Sequence, residues 1–262
     1  MAVSLREYRA KIRSTQSTKK ITRAMELIAA SRIIKAQQAA AAAAPYAREL
    51  TRAVSALATY SNVDHVLTTE NPDAKRAAIL VIASDRGLAG AYASSVLKET
   101  EQLVERLHEE GKEVTYFLSG RKAEAYFNFR QRDFEQSWTG FSDKPTYGDA
   151  REIGDELISR GARSESADES NDPSQTVDEL YVVFTRFRSM LVQEPTTIRL
   201  FPLEIVEGEE APAETEVLPL YEFEPSASVV PHAILPAYIQ SRVLNAPLQS
   251  STAQHAAPQP AM

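Results

Sequence analysis

Apolar side chains recur at helical spacing from the start of the chain. Leu5, Tyr8 and Ile12, and again Ile21, Met25 and Ile28, share one stripe, which Thr15, Thr18 and Thr22 keep narrow. Ala, Arg, Lys, Glu, Gln, Leu and Met dominate here, all strong helix formers, and no glycine precedes Gly87. The pattern predicts one long helix over residues 4–57, within an N-terminal segment 1–60. At 1.5 Å per residue such a rod is roughly 80 Å long. A rod of that length cannot bury its stripe on a small core, so it needs a partner helix or another protein. The alanine run at 39–44 suits close helix approach, and Pro45 just after it predicts a kink or interruption.

The pattern changes after residue 75. Residues 77–83 form a continuous apolar run, fit for a strand buried on both faces. The turn at 84–92 follows, then a helix to about Glu110 that stops at Gly111. Residues 114–118 read as a strand, 120–129 and 147–159 as helices, and 180–187 and 198–205 as strands. Alternation of strand and helix predicts an α/β domain over 75–206 with a mainly parallel sheet. Residues 161–177 are rich in Ser, Asp, Glu and Asn, which predicts a mobile acidic insertion, and 207–224 read as a linker that begins acidic. Residues 225–262 contain helix formers, yet they hold six of the chain's 14 prolines; Pro236 and Pro247 oppose a helix there, and Pro258 and Pro260 oppose its continuation beyond His255.

Charge divides the chain in the same place. Residues 1–60 hold 11 Lys/Arg and 3 Asp/Glu, a net +8, which leaves −15 for the rest of a chain of net charge −7. The basic helix is suited to an acidic partner surface, although a charge run alone more often marks a solvated face. Without cysteine there is no disulfide, thiolate metal site or cysteine nucleophile. The four histidines are scattered, so a histidine metal centre is not expected. No signal-peptide core or 18-residue apolar run is present, which predicts a protein that does not span a membrane.

Catalytic motifs are thin. The turn after the first strand has Gly87 and Gly90 but lacks the third glycine of a dinucleotide fingerprint, and no Gly-Lys-Ser/Thr phosphate loop exists. Asp85 and Arg86 read more simply as a strand-end turn satisfying its own backbone than as a site pair. Serine-elbow and zinc-helix motifs are missing, and the carboxylates concentrate in the insertion and linker, where burial cannot tune them. Two other readings stand at this level: a nucleotide-binding α/β enzyme, and a basic-helix nucleic-acid scaffold, the latter opposed by the acidic whole and the scarcity of aromatics on the helix.

Residues 13–32, with Ile21, Thr22, Ala29, Ala30 and Ser31 among them, resemble the N-terminal helix of the ATP synthase F1 gamma-subunit family. Ser84, Asp85, Arg86, Gly87 and Gly90 lie in a stretch that resembles the family's second signature. Residues 180–186 and 221–225 match in order and spacing, and the acidic insertion is similar to the actinobacterial form.

The resemblance implies a central-stalk rotor without catalytic residues, cofactor or metal of its own. Long N- and C-terminal helices would form an antiparallel coiled coil on a Rossmann-like α/β domain. The partners implied are the alpha and beta subunits of the hexamer, the epsilon subunit and the c-ring, at the cytoplasmic side of the cell membrane, coupling proton flow to ATP synthesis and hydrolysis. Arg23, Met25, Arg32 and Lys35 are the residues expected near beta-subunit loops. The C-terminus departs from the family: its closing Ile-Thr-x-Glu…Gly-Ala motif is missing, and Pro247 falls where the family's helix is uninterrupted. An interior proline costs a helix about 3 kcal/mol. A shortened or altered C-terminal helix, a weakly held N-terminal helix, and a degenerate, non-coupling gamma copy as the alternative, are the expectations that follow.

Overall fold

The N-terminal stripe winds into one continuous helix, α1 (Leu5–Tyr60), in the computed structural model of the chain, which describes residues 5–60, 71–87, 89–162, 176–203 and 230–257. The expected break at Pro45 does not occur. Pro45 is exposed, and so is Ala41, whose carbonyl the proline leaves without an N–H partner, so water can satisfy that oxygen. Burial along α1 is graded. Residues 5–21 are exposed throughout, with Leu5 76% and Ile12 54% accessible. Thr22 and Met25 are half-buried, and among the side chains described up to Leu57 only Ile33, Ala56 and Leu57 are fully covered.

The apolar run after residue 75 forms β1 (Arg76–Ile82), the central strand of a five-stranded sheet. Its neighbours come from alternating elements: α2 (Tyr92–Glu109), β2 (Glu113–Ser119), α3 (Arg121–Arg130), β3 (Gln136–Trp138), α4 (Tyr147–Ala162), β4 (Glu179–Phe187) and β5 (Gln193–Phe201). The order is β3-β2-β1-β4-β5, parallel except for β5, which pairs antiparallel with β4. The first two crossovers extend the sheet one way and β4 joins on the other side of β1. The sheet therefore reverses direction between β1 and β4. Gly111, at φ 76°, closes α2 as the sequence predicts: its N–H donates to the His108 carbonyl and that of Lys112 to the Leu107 carbonyl.

Alternation along β1 divides the core in two. Ala77, Ile79 and Val81 pack with Val96, Leu103 and Leu107 of α2 and Phe127 of α3. Ala78, Leu80 and Ile82 face Ile153 and Leu157 of α4 and Leu235, Ile239 and Val243 of α5 (Val230–Ala256), with Leu50 and Val54 of α1 against the same cluster. α1 packs extensively along α5. The helix runs through Pro236 and Pro247 against expectation, because α5 is covered nearly all round: Leu235, Tyr238, Ile239, Val243, Ala246 and Leu248 are buried, and so is every residue from Ser250 to Ala257. Burial of that extent outweighs two missing backbone hydrogen bonds.

Three other boundaries move. β3 is a three-residue edge strand with no apolar run to announce it. β5 covers 193–201 rather than 198–205, since its position is set by the hairpin register, Phe187 opposite Gln193, and an edge strand tolerates Pro195. The expected insertion is narrower at both ends. Gly161 lies in α4, where an added Cβ would come 2.7 Å from the Phe201 ring, and Val177 is buried in the core. Residues 163–175, the linker 207–224 and the matched stretch 221–225 lie outside the described residues.

Candidate partner interface

β1, at the centre of the sheet, delivers the signature stretch to the C-terminal end of the parallel strands. Ser84 is buried, while Arg86 and Gly87 are exposed. Asp85 acts as a staple rather than a reactive group. One carboxylate oxygen accepts the backbone N–H of Arg121 (3.1 Å) at the start of α3, and the other accepts that of Ser142 (2.9 Å); the Ser142 hydroxyl in turn accepts the N–H of Asp85 (2.8 Å). Burial works against the charge, but the backbone N–H groups of Ser142, Gly140 and Arg121 outweigh it and hold this carboxyl below the ordinary carboxylate range.

Open α/β sheets bind ligands in the crevice at the point where strand order reverses. Here that place, beyond the ends of β1 and β4, is entered by the last turns of α5. The Thr185 N–H on β4 donates to the Ser250 hydroxyl (3.2 Å), and Ala253 and Ala257 pack against Ala89 and Tyr92. A Cβ on Gly90 would come 3.2 Å from the Ala257 carbonyl oxygen. The signature glycines thus admit the end of α5, which takes up part of the crevice and leaves a cavity of about 320 Å³ beside Gly90, Tyr92, Thr185 and Ala257. Among the described residues no group of three His, Cys, Asp or Glu could hold a metal ion.

The four residues expected to meet a partner separate into two pairs along α1. Arg23 is exposed and pairs with Glu26 on its own helix (2.7 Å), beside the half-buried Met25 and the exposed Ile21. Arg32 and Lys35 instead rim a cleft of about 350 Å³ between α1, the turn at 141–146 and α5, with Asp143, Lys144, Leu248 and His255 opposite. Arg32 Nη1 lies 4.0 Å from the Asp143 carboxylate. Ala29 and Ala30 are half-buried and Ser31 is exposed.

The sequence did not point to Asp143, Ser251, Gln254 or His255, although Arg32 and Arg86 beside them were among the expected site residues. The Asp143 carboxylate receives Arg86 Nε at 2.9 Å and the Gln254 side-chain amide at 2.8 Å, and its carbonyl oxygen accepts the Ser251 hydroxyl at 3.0 Å and faces His255 Nε2 at 3.3 Å. Burial pushes His255 below the ordinary histidine value; Asp143 opposes that shift and the nearby Arg32 and Arg86 charges add to it. Asp143 belongs to no periodic element, and only its place before Lys144-Pro145 marked it as part of a turn.

The described residues thus join a long, partly uncovered helix and the second helix beside it to an α/β domain. The family model described as ATP synthase matches residues 4–262. Over all 262 residues the chain is 63% identical to the ATP synthase gamma chain of Nocardioides sp., covering 84% of that relative, and 58% identical to that of Clavibacter sepedonicus, covering 85% of it. The chain belongs to the ATP synthase gamma-chain family. Two solved structures share the fold: a chain of the Tetrahymena thermophila mitochondrial ATP synthase central stalk and c-ring (TM-score 0.63, 18% identity, covering 92% of this chain and 97% of that one) and one of the Euglena gracilis mitochondrial ATP synthase rotor (TM-score 0.59, 13% identity, covering 97% and 87%).

Proposed function

We propose that this chain is the rotating central-stalk subunit of a proton-transporting ATP synthase. It couples proton flow through the membrane sector to ATP synthesis and hydrolysis on the alpha and beta subunits, and itself contributes no catalytic group. α1 and α5 form an antiparallel coiled coil that serves as the shaft. The α/β domain is the foot that meets the epsilon subunit and the c-ring, and the chain is held peripherally at the cytoplasmic face of the cell membrane through them. No helix among the described residues is long and apolar enough to cross a membrane, which agrees with a subunit attached through partners.

The observation that carries the reading is the pairing of α1 with α5 beside an α/β domain, in a chain 63% identical to an ATP synthase gamma chain. Leu5, Tyr8 and Ile12 lie on one face of a helix whose residues 5–21 touch nothing that buries them, although helices in water are stabilised chiefly by packing of that face. The chain spans 84–85% of the length of the gamma chains it matches, so both a longer α5 and a surrounding collar of subunits are candidates to cover this face. Arg23 and Met25, at the border of the bare segment, are the residues proposed to face beta-subunit loops, with Arg32 and Lys35 following toward the foot.

The test is to express the chain with alpha, beta, epsilon and the membrane sector and to measure ATP-driven proton pumping in membrane vesicles. The expected result is a co-purifying complex with pumping. Met25→Glu is expected to lower pumping per ATP hydrolysed. Failure to co-purify would overturn the assignment of function, and unchanged coupling in the variant would overturn that of Met25.

A further inference from the structure

We infer that Asp143 is the joint that fixes the angle between shaft and foot, and that the signature stretch at 84–90 serves to hold this joint; the inference rests on the rotor reading above. A rotor that passes torque between foot and shaft must resist twisting where the two meet. Apolar packing opposes separation but is non-directional, so it opposes sliding and rotation weakly. Charge-assisted hydrogen bonds are directional and short, and several converging from different elements define an angle.

Asp143 is where hydrogen bonds from α5 meet ion pairs from the foot and from α1. From the foot, Arg86 reaches its carboxylate at 2.9 Å. From α5, Gln254 donates to the same carboxylate at 2.8 Å, and Ser251 donates to its carbonyl at 3.0 Å. From α1, Arg32 approaches to 4.0 Å. Ser251 and Gln254 are buried, so their bonds are sheltered from water and salt, whereas Arg86 is 65% exposed and its ion pair is screened. The residue before it is locked in turn, since Ser142 and Asp85 exchange two hydrogen bonds and Asp85 also holds the first turn of α3. A continuous polar path therefore runs from the end of β1 through Asp85, Ser142 and Asp143 to both shaft helices. Asp85 and Arg86 of the signature grip the two ends of the 142–143 dipeptide, and Gly90 leaves room for the end of α5.

Asp143 is a positioning residue, and its test needs a readout that loss of stability alone would not move. In the assembled complex, Asp143→Ala is expected to retain ATP hydrolysis while proton pumping per ATP hydrolysed is lost in part. Asp143→Asn, which keeps an acceptor for Gln254 but loses the charge facing Arg86, is expected to fall between variant and wild type. Hydrogen–deuterium exchange on the Asp143→Ala complex is expected to accelerate at residues 84–91 and 250–257 together, with β1 and β4 still protected. If Asp143→Ala fails to assemble, Gln254→Ala, which severs only the α5 side, carries the same two measurements. Wild-type pumping with unchanged coupling and unchanged exchange in the variants would overturn the joint and leave the rotor reading intact; loss of pumping in the wild type would overturn the rotor reading itself.

Discussion

Gly120 stands directly behind the exit of β1: a Cβ added to it would lie 2.5 Å from the carbonyl oxygen of Ala83. Its backbone sits at φ 101°, a region open essentially to glycine, and its N–H donates to the Trp138 carbonyl (2.8 Å), while Lys122 N–H reaches the Ser84 carbonyl (2.9 Å). One residue thus joins β2, α3, β3 and the signature turn. Gly120→Ala combines backbone strain with a collision against main chain that cannot rotate away. It is expected to cost about 3 kcal/mol or more, read from the urea midpoint of the purified chain. A midpoint within experimental error of wild type would mean that the turn can reshape around a Cβ.

His255 gives the shaft–foot contact a pH dependence with a definite sign. Burial lowers its pKa in the folded chain, so between that lowered value and the ordinary value of about 6.5 the unfolded chain binds more protons than the folded one. Stability from this site is therefore full above the ordinary value and is lost as pH falls through the window below it. Thermal unfolding of wild type and His255→Gln from pH 7.5 down to pH 5 should show the wild type losing more stability than the variant. Parallel curves would assign the pH response to other groups.

Protection along α1 should follow its burial. Backbone amides near Ile33 and near Ala56 and Leu57, where the helix packs on α5 and the core, are expected to exchange slowly in the isolated chain, and those at 5–21 rapidly. Hydrogen exchange resolved by peptide measures this directly. Uniform strong protection from Leu5 to Tyr60 would show that the first third is covered in the isolated molecule.

Much of the architecture was readable in the chain. Period 3.6 in the first sixty residues, the unbroken apolar run at 77–83 and the Gly111 stop report local preferences, and the helices and strands built on them stand close to where those preferences place them. The errors fall where a neighbour decides. β5 slid five residues because its hairpin partner β4 sets the register, and β3 exists only because β2 offers it an edge. Pro236 and Pro247 argued locally against a helix that burial on nearly all sides sustains. Val177, at the end of an acidic polar stretch, joins the core because β4 begins beside it.

The signature residues themselves were legible as a resemblance, and their chemistry was not. Asp85 and Arg86 looked like a strand-end turn, and in part they are; what the pattern could not supply is Ser142 and Asp143, more than fifty residues away, or Ser251 and Gln254, more than a hundred beyond those.

Composition and periodicity alone determined that this chain carries a long basic helix and an α/β layer, because those properties depend on residue type and near-neighbour spacing. The tertiary structure alone decided that the end of α5 packs into the crevice of the sheet and that Asp143 bonds that helix to the domain. Such contacts depend on where distant segments meet in space, and a spacing of more than a hundred residues leaves no periodic trace in a single sequence.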